Sequence, residues 1–350
     1  MVDKKPTIKE IAKLAQVSPA TVSLIINNKK GVSEQTRKRV QSILESQMYV
    51  PQRSSSSTSP LTFVFLKYRE HGMIVEENQG FIAAILDHIE YICNKEGIQL
   101  ISKTADASTI EQILASPDVQ NADGVFVLGT ELHDNQLTYL QKIPCPYLVV
   151  DNYCRFHQIN SVVMSNVEIV YQAIGHLYAL GHRTIGYLSS NTIIANFRDR
   201  EDGFYSALKE LKLQAARRIN VTPTLHGAYM DMKAAIAANP NMPSAFFADN
   251  DTIALGAIKA LQEKGYRIPE DISIIGVDDI PYSKVATPAL TTIRISRQTM
   301  GKCAVTALLQ SVRSSSANSP ISPIKVLVNG DLVLRDSTRP VPVETGSDQG

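Results

Sequence analysis

TIKEIAKLAQVSPATVSLIINN, residues 7–28, carries two short helical signals with almost nothing between them. Thr7 and Glu10 have the T-x-x-E spacing of a capping box, in which each side chain accepts an N–H that the first helical turn leaves unpaired. Ile8, Ile11, Ala12 and Ala15 then recur at i, i+3, i+4 and i+7, one apolar stripe. Ser18 before Pro19 is a second start signal, a capping hydroxyl followed by a residue whose missing N–H costs nothing there. Val22, Ile25 and Ile26 give this second helix its buried side, and only Ala-Gln-Val separates the pair. Ser33 opens a third helix, with Glu34 favouring its positive end and Val40, Ile43 and Leu44 facing inward. Three such helices must share one small core. A tight turn before the second is the arrangement that lays a recognition helix in the major groove of DNA.

Charge supports that reading. Residues 1–53 hold ten Lys or Arg against four acids, a net of +6, whereas the remaining residues hold 25 basic against 30 acidic, a net of −5. A basic head on an acidic body suits a polyanion as partner of the head alone. On the second helix Ser18, Thr21, Ser23 and Asn27 are short donors suited to phosphate oxygens, and Thr7 and Ser33 join them at the starts of the flanking helices. The competing reading, that these hydroxyls merely cap and solvate a packing module, leaves the charge asymmetry unexplained.

The linker QRSSSSTSP, 52–60, is rich in poor helix formers and reads as a tether, with Arg53 able to reach phosphate. The domains are therefore a headpiece at 1–48, a Ser-rich linker at 49–60, a body at 61–340 and a tail at 341–350. The four cysteines, at 93, 145, 154 and 303, form no C-x-x-C pair and have no histidine at zinc spacing, so no metal and no cofactor is expected. Residues 1–15 lack the apolar stretch of an export signal and no run approaches a membrane span. A cytoplasmic protein without a membrane partner is expected.

In the body, β-branched apolar runs at 61–66, 98–101, 124–129, 146–150, 184–188, 244–248 and 272–277 alternate with amphipathic stretches such as 80–97, 167–181 and 251–265. Strand and helix in alternation predict an α/β fold with parallel sheets covered on both faces. So many strands fit two doubly wound lobes better than one wide sheet, and polar groups at strand ends then face a cleft between the lobes.

Together with VSEQTRKRV, YVP, HLYALGHRTIGYL, RDREDGFYSAL, ADNDTIALGAIKAL, RIPEDISIIGVDD and DLVLRDST, these features closely resemble the LacI/GalR family of bacterial repressors across essentially the whole chain. The resemblance implies a type I periplasmic-binding-protein-like body of two lobes, chain crossings near 160, 290 and 325, and a homodimer formed through the body. It also implies a sequence-specific regulator that binds double-stranded operator DNA and answers to a small sugar-like effector. Pro19, Ala20 and Leu24 match the family's main base-reading positions, the last of which is often arginine. Leu24 cannot make an arginine's paired contact to guanine, and Ala20 offers only a methyl group, so readout should lean on apolar contacts and DNA shape. Thr58 stands where relatives carry a leucine that wedges into the minor groove from a hinge helix.

By the same resemblance Asp151, Arg200, Asn250 and Asp278 line the cleft, where carboxylates, a guanidinium and an amide can hold vicinal hydroxyls. Each has a plainer alternative: Asp151 and Asp278 as strand-end turn residues or helix caps, Asn250 or Asp251 as cap of the following helix, Arg200 paired with Asp199 or Glu201 in solvent. A solvated surface competes for Asp279, Asp249 and Arg198. With no Trp in the chain, any ring stacking falls to Phe81, Tyr153, Phe197 or Tyr282. No phosphate-binding glycine loop, zinc-protease motif or nucleophile elbow is present, and adjacent Asp278 and Asp279 would point apart, so no catalysis is expected. A cytosolic solute-binding protein, or a regulator driven by a corepressor or a protein partner, are the alternatives.

Overall fold

The structure, a computed structural model, describes residues 8–26, 32–46, 60–77, 79–316 and 322–341. The chain divides into two compact units, 1–59 and 60–350.

In the first unit α1 (Ile8–Ala15), α2 (Pro19–Ile26) and α3 (Glu34–Ser46) close on Ile11, Ala12, Ala15, Val22, Ile25 and Val40, with Val17, Val32, Ile43 and Leu44 packed around them. Helix α1 ends in a Schellman turn: Val17 N–H donates to Ala12 O at 3.0 Å and Gln16 N–H to Lys13 O at 3.3 Å. Gln16 takes the left-handed conformation this requires, at φ +54°. That turn lets α2 begin two residues later. Thr7 and the linker, Pro60 excepted, lie outside the described residues, as do Asn27 and Arg53.

The second unit contains two six-stranded sheets. The first has the order β11-β5-β4-β3-β1-β2, from β1 (Thr62–Tyr68), β2 (Gln99–Ala105), β3 (Gly124–Leu128), β4 (Tyr147–Val150), β5 (Ser161–Met164) and β11 (Lys325–Val328), all parallel. The second has the order β12-β10-β9-β8-β6-β7, from β6 (Thr184–Ser190), β7 (Gln214–Val221), β8 (Ala245–Ala248), β9 (Ser273–Val277), β10 (Thr291–Ile295) and β12 (Gly330–Val333). One departure from the expected parallel sheets is the edge pair, β12 running antiparallel to β10. It follows from connectivity, since a single residue, Asn329, separates β11 in one sheet from β12 in the other.

After the short α4 (Met73–Glu77), helices α5 (Gln79–Lys95) and α13 (Arg297–Ser316) cover one face of the first sheet, while α6 (Ile110–Leu114), α7 (Pro117–Gln120) and a 3-10 helix (Asp134–Lys142) cover the other. In the second lobe α8 (Asn166–Ala179) and α9 (Ala195–Glu210) oppose α10 (Leu225–Ala238) and α11 (Asp251–Glu263). Fully buried Phe63, Phe65 and Phe126 on one side, and stacked Tyr187, Phe204 and Phe247 on the other, anchor the two cores. Each such ring removed from water stabilises the fold by about 1.5–3 kcal/mol. The chain passes between lobes at Ser165, Ser296 and Asn329, five or so residues beyond the positions the family resemblance implies. Three passages along one seam leave the C-terminal ends of both sheets facing a shared cleft.

Candidate effector site and DNA-binding helix

Residues that follow strands meet at the seam. Thr130 comes after β3, Asp151 after β4, Asn250 after β8 and Asp278 after β9, and α9 supplies Asn196, Phe197 and Arg200. With Ile74, Phe81, Met164 and Ile194 they line one inner pocket, so the four effector residues expected from sequence are brought together. Asp151 and Asp278 are both left-handed, at φ +66° and +111°. Backbone strain of this kind in a side chain other than glycine persists only where the surroundings impose it.

The inner cluster is closed on itself. Arg200, 2% exposed, donates from Nε to Asn166 Oδ1 at 3.0 Å, from Nη1 to the Asp249 carbonyl, and from Nη2 to Met164 Sδ and, at 3.4 Å, to Asp278 Oδ1. Asp151 accepts from Thr130 Oγ1 at 2.6 Å and from Asn196 Nδ2 at 3.0 Å, and Asn166 Nδ2 donates to Asn196 Oδ1 at 2.9 Å. Because these groups satisfy one another, the room left among them is about 10 Å³, the threshold for one water molecule. Burial pushes the Asp151 carboxyl up to about 6, with the neighbouring Asp278 charge adding to it and Thr130, Arg200 and Asn196 opposing.

Outward from this cluster, Ile74 of the first lobe meets Ile194 and Phe197 of the second in a small apolar plug. Beyond the plug opens a chamber of about 330 Å³, lined by Glu70, His71, Met73, Ile74, Glu131 and His133 on one side and residues 191–194 on the other. That volume is at the lower end of the range for small-molecule sites. Of the aromatic residues considered for stacking, Phe81 and Phe197 line the inner pocket, whereas Tyr153 lies under Lys325 and Tyr282 is exposed on α12 (Pro281–Val285).

Several alternatives are decided by partners. Arg200 does not pair with Asp199 or Glu201, which are held by Arg155 and Arg218. Asp249 and Asp279 are buried, not solvated: Asp249 accepts from Tyr187 Oη at 2.5 Å and Ser190 N at 2.7 Å, and Asp279 binds Arg294 and Arg335. Arg198 forms a half-exposed pair with Asp134 at 3.0 Å, which bridges the lobes. Asn250 does cap α11, its Oδ1 accepting Ile253 N–H at 2.9 Å, and lines the pocket as well. Sequence reasoning missed Asn196, although it stands four residues before Arg200 and so on the same helical face.

It also passed over Asp251 as a possible cap. This fully buried carboxylate instead accepts Ile280 N–H at 3.1 Å, Ser283 Oγ at 2.6 Å and Thr292 Oγ1 at 2.5 Å, pinning the turn that carries Asp278. Burial pushes it up to about 7. A carboxyl whose folded value is raised lends stability that is fully present below its unfolded value near 3.8 and is lost as pH rises through about 7. The advantage of wild type over Asp251→Asn in urea unfolding should therefore shrink as pH rises from about 4 to about 7 and level off above that. A gap that widened with pH would contradict the assignment.

In the other unit, Ser18 Oγ accepts Thr21 N–H at 3.1 Å and touches Thr21 Oγ1 at 2.9 Å, and Ser33 Oγ accepts Thr36 N–H at 3.3 Å. Two of the hydroxyls expected on phosphate thus cap helices. Pro19 and Ala20 are exposed and Thr21 and Leu24 half-buried, with Ala20 and Leu24 on the side of α2 away from Val22 and Ile25. Ser23 lies on the same helix. Removing the cap with Ser18→Ala should lower the opening free energy of α2 by about 1 kcal/mol. Faster amide exchange at Val22 and Ile25 in the full chain, with α5 unchanged, is the expected readout.

Residues 7–52 match the family described as bacterial regulatory proteins, lacI family, and residues 174–338 match a periplasmic binding protein-like domain. The HTH-type transcriptional repressor PurR of Haemophilus influenzae is 30% identical over 343 residues, covering 96% of this chain and 99% of the relative. The chain belongs to the LacI family. The ribose operon repressor of the same organism is 31% identical over 320 residues, or 89% of this chain and 93% of the relative. Among solved structures, a lac repressor dimer bound to operator and the anti-inducer ONPF superposes with a TM-score of 0.69 at 24% identity, covering 96% of this chain and 100% of the other. A CelR–cellobiose complex does so with 0.69 at 24% identity, covering 95% and 99%. At that identity the likeness is one of fold. As a LacI-family member this chain is a DNA-binding transcriptional repressor with a small-molecule effector. Its fold is the family's helix-turn-helix headpiece on a bilobed periplasmic-binding-like body.

Proposed function

We propose that this repressor is a cytoplasmic homodimer whose cleft binds a small sugar-like effector between the lobes, and that the effector changes the affinity of the paired headpieces for a roughly palindromic operator. The observation that carries the reading is the convergence of Asp151, Arg200, Asn250 and Asp278 in one pocket lined from both lobes, below a chamber of about 330 Å³. Carboxylate, guanidinium and amide groups bind hydroxyls through charge-assisted hydrogen bonds, and Phe81 and Phe197 supply apolar faces for a ring. Since the inner groups bond to one another, an effector must exchange with them. The Asn196 bridge to Asp151 and the Arg155 and Arg198 pairs across the seam then answer to its presence. That supplies the difference between two lobe arrangements which ligand control requires. Structures of related proteins, a CelR–cellobiose complex and a lac repressor dimer on its operator, support the sugar class, the dimer and the DNA partner.

For the head, we assign Pro19, Ala20 and Leu24 to base edges, and Thr7, Ser18, Thr21, Ser23, Asn27, Ser33 and Arg53 to the phosphate backbone. The chain is not an enzyme in this reading: Asp278 and Asp279 engage different arginines and cannot share a proton at one substrate. Selection of bound sites from a random duplex pool at two salt concentrations, followed by titration of sugars against the selected site, tests it. The expected result is a palindrome whose affinity one sugar changes by about 5- to 150-fold. Binding that stays indifferent to sequence and only weakens with salt would overturn it.

A further inference from the structure

We infer that Glu131 makes the cleft selective for effectors without negative charge, because its carboxylate already occupies the backbone N–H groups that an effector's phosphate or carboxylate would use. The inference rests on the cleft being the effector site and adds to it a specificity-determining residue and a charge class.

Glu131 lines the chamber yet is only 3% exposed. Its Oε2 accepts the N–H groups of His71 at 3.0 Å and Gly72 at 2.9 Å, and its Oε1 those of Ile74 at 2.8 Å and Val75 at 3.0 Å. Four donors converging on two oxygens is the arrangement a protein offers to an oxyanion. Here the oxyanion comes from the end of β3, and it fixes the segment that forms the chamber wall and the first-lobe half of the apolar plug.

The other cations around the cleft have most of their donors engaged, with the buried Nε atoms of Arg198 and Arg297 left without a hydrogen-bond partner. Arg200 donates to Asn166, the Asp249 carbonyl, Met164 and Asp278, which engages four of its five N–H groups. Arg198 is paired with Asp134, Arg155 with Asp199 and Asp202, and Arg297 donates to the carbonyls of Asp278 and Asp279. Among the lining side chains, His71 and His133 are the remaining groups able to carry positive charge. Against them stand Glu70, Glu131, Asp151 and Asp278. Glu70 is held below the usual carboxylate range by the Tyr68 hydroxyl that donates to it, and so remains an anion facing the chamber. A further phosphate here meets like charges in a partly desolvated space, whereas a neutral polyol or an amine does not.

Thermal-shift titrations of the full chain with glucose against glucose 6-phosphate and ribose against ribose 5-phosphate, with inorganic phosphate as the ionic control, test the charge class. Wild type should respond to each ester no more than to inorganic phosphate, and any neutral sugar that binds should do so at least ~10-fold more tightly than its ester. Saturable binding of an ester tighter than its neutral parent overturns the inference while leaving the effector site intact. Glu131→Ala tests the residue: acetate should raise the variant's unfolding temperature saturably and leave wild type unmoved, since four N–H groups regain an oxyanion. If Glu131→Ala does not fold, Glu131→Gln, which keeps the volume, is expected to respond to an ester at least ~10-fold more strongly than wild type does. Should neither variant gain any anion response, the role of Glu131 is wrong. Silence towards all sugars and esters, with acetate rescue intact, supports the role of Glu131 and removes the sugar reading.

Discussion

Arg200→Leu is expected to lower the stability of the body by about 3–5 kcal/mol and to abolish the effector response. The size follows from what the guanidinium leaves behind. Asp278 would keep a buried carboxylate without its cation, the Asp249 carbonyl would lose a donor, and Asn166 would lose the bond that orients its amide towards Asn196. Leucine fills much of the volume but pairs with none of them. Arg200→Lys separates the two effects. A lysine keeps the charge near Asp278, so it should recover part of the stability, but it cannot span Asn166, Asp249 and Asp278 as a planar fork does. The expected pattern is a lysine variant that folds, binds operator, and no longer changes its operator affinity when effector is added. Urea unfolding and operator titration with and without the effector read both quantities. An Arg200→Leu protein within about 0.5 kcal/mol of wild type, the scale of ordinary surface changes, would mean that the inner cluster is not the closed network its distances describe.

The sequence exposes the framework of this site better than its detail, and the reason is physical. Strands such as GVFVL at 124–128 and SIIGV at 273–277 are buried on both faces, so they stand out as unbroken apolar runs. Strand β7, QAARRINV at 214–221, was missed because it is an edge strand with mostly exposed side chains, including Arg218, and so carries no such run. Strands β5, β10, β11 and β12, of four or five residues each, were passed over as well. In the cleft, Asp151, Arg200, Asn250 and Asp278 were legible from family motifs, and the placement of a polar residue after a buried strand explains three of the four. Glu131 also follows such a strand, but nothing local announces that its partners lie about sixty residues earlier. The same is true of Asp251, whose partners lie 29 to 41 residues later and whose sequence position reads equally well as a cap. Contacts made across the fold leave no spacing signal along the chain.

Leu24→Arg is expected to give the headpiece a guanine preference that the natural protein lacks. Leu24 lies on α2 one turn beyond Ala20, on the side away from the Val22 and Ile25 core, and neither side chain can donate or accept a hydrogen bond. Base discrimination through this face is therefore limited to apolar contact with thymine methyl groups and to DNA shape. An arginine at position 24 adds two parallel donors that match the O6 and N7 acceptors of guanine, a contact that discriminates by about 1–3 kcal/mol against other bases. If two heads act on a palindrome, the new guanine should appear at the symmetric position of both half-sites in a selection from random duplexes. The measurement separates base reading from simple charge. A guanidinium resting on phosphate would strengthen binding to all sequences alike and steepen the salt dependence by about one counterion per head. Base reading would leave non-specific binding nearly unchanged and spread the selected sites apart by the base opposite residue 24. A uniform gain would place α2 with its apolar face against the backbone, and the natural preference of this repressor would then have to arise from Pro19, Ala20 and the deformability of its operator.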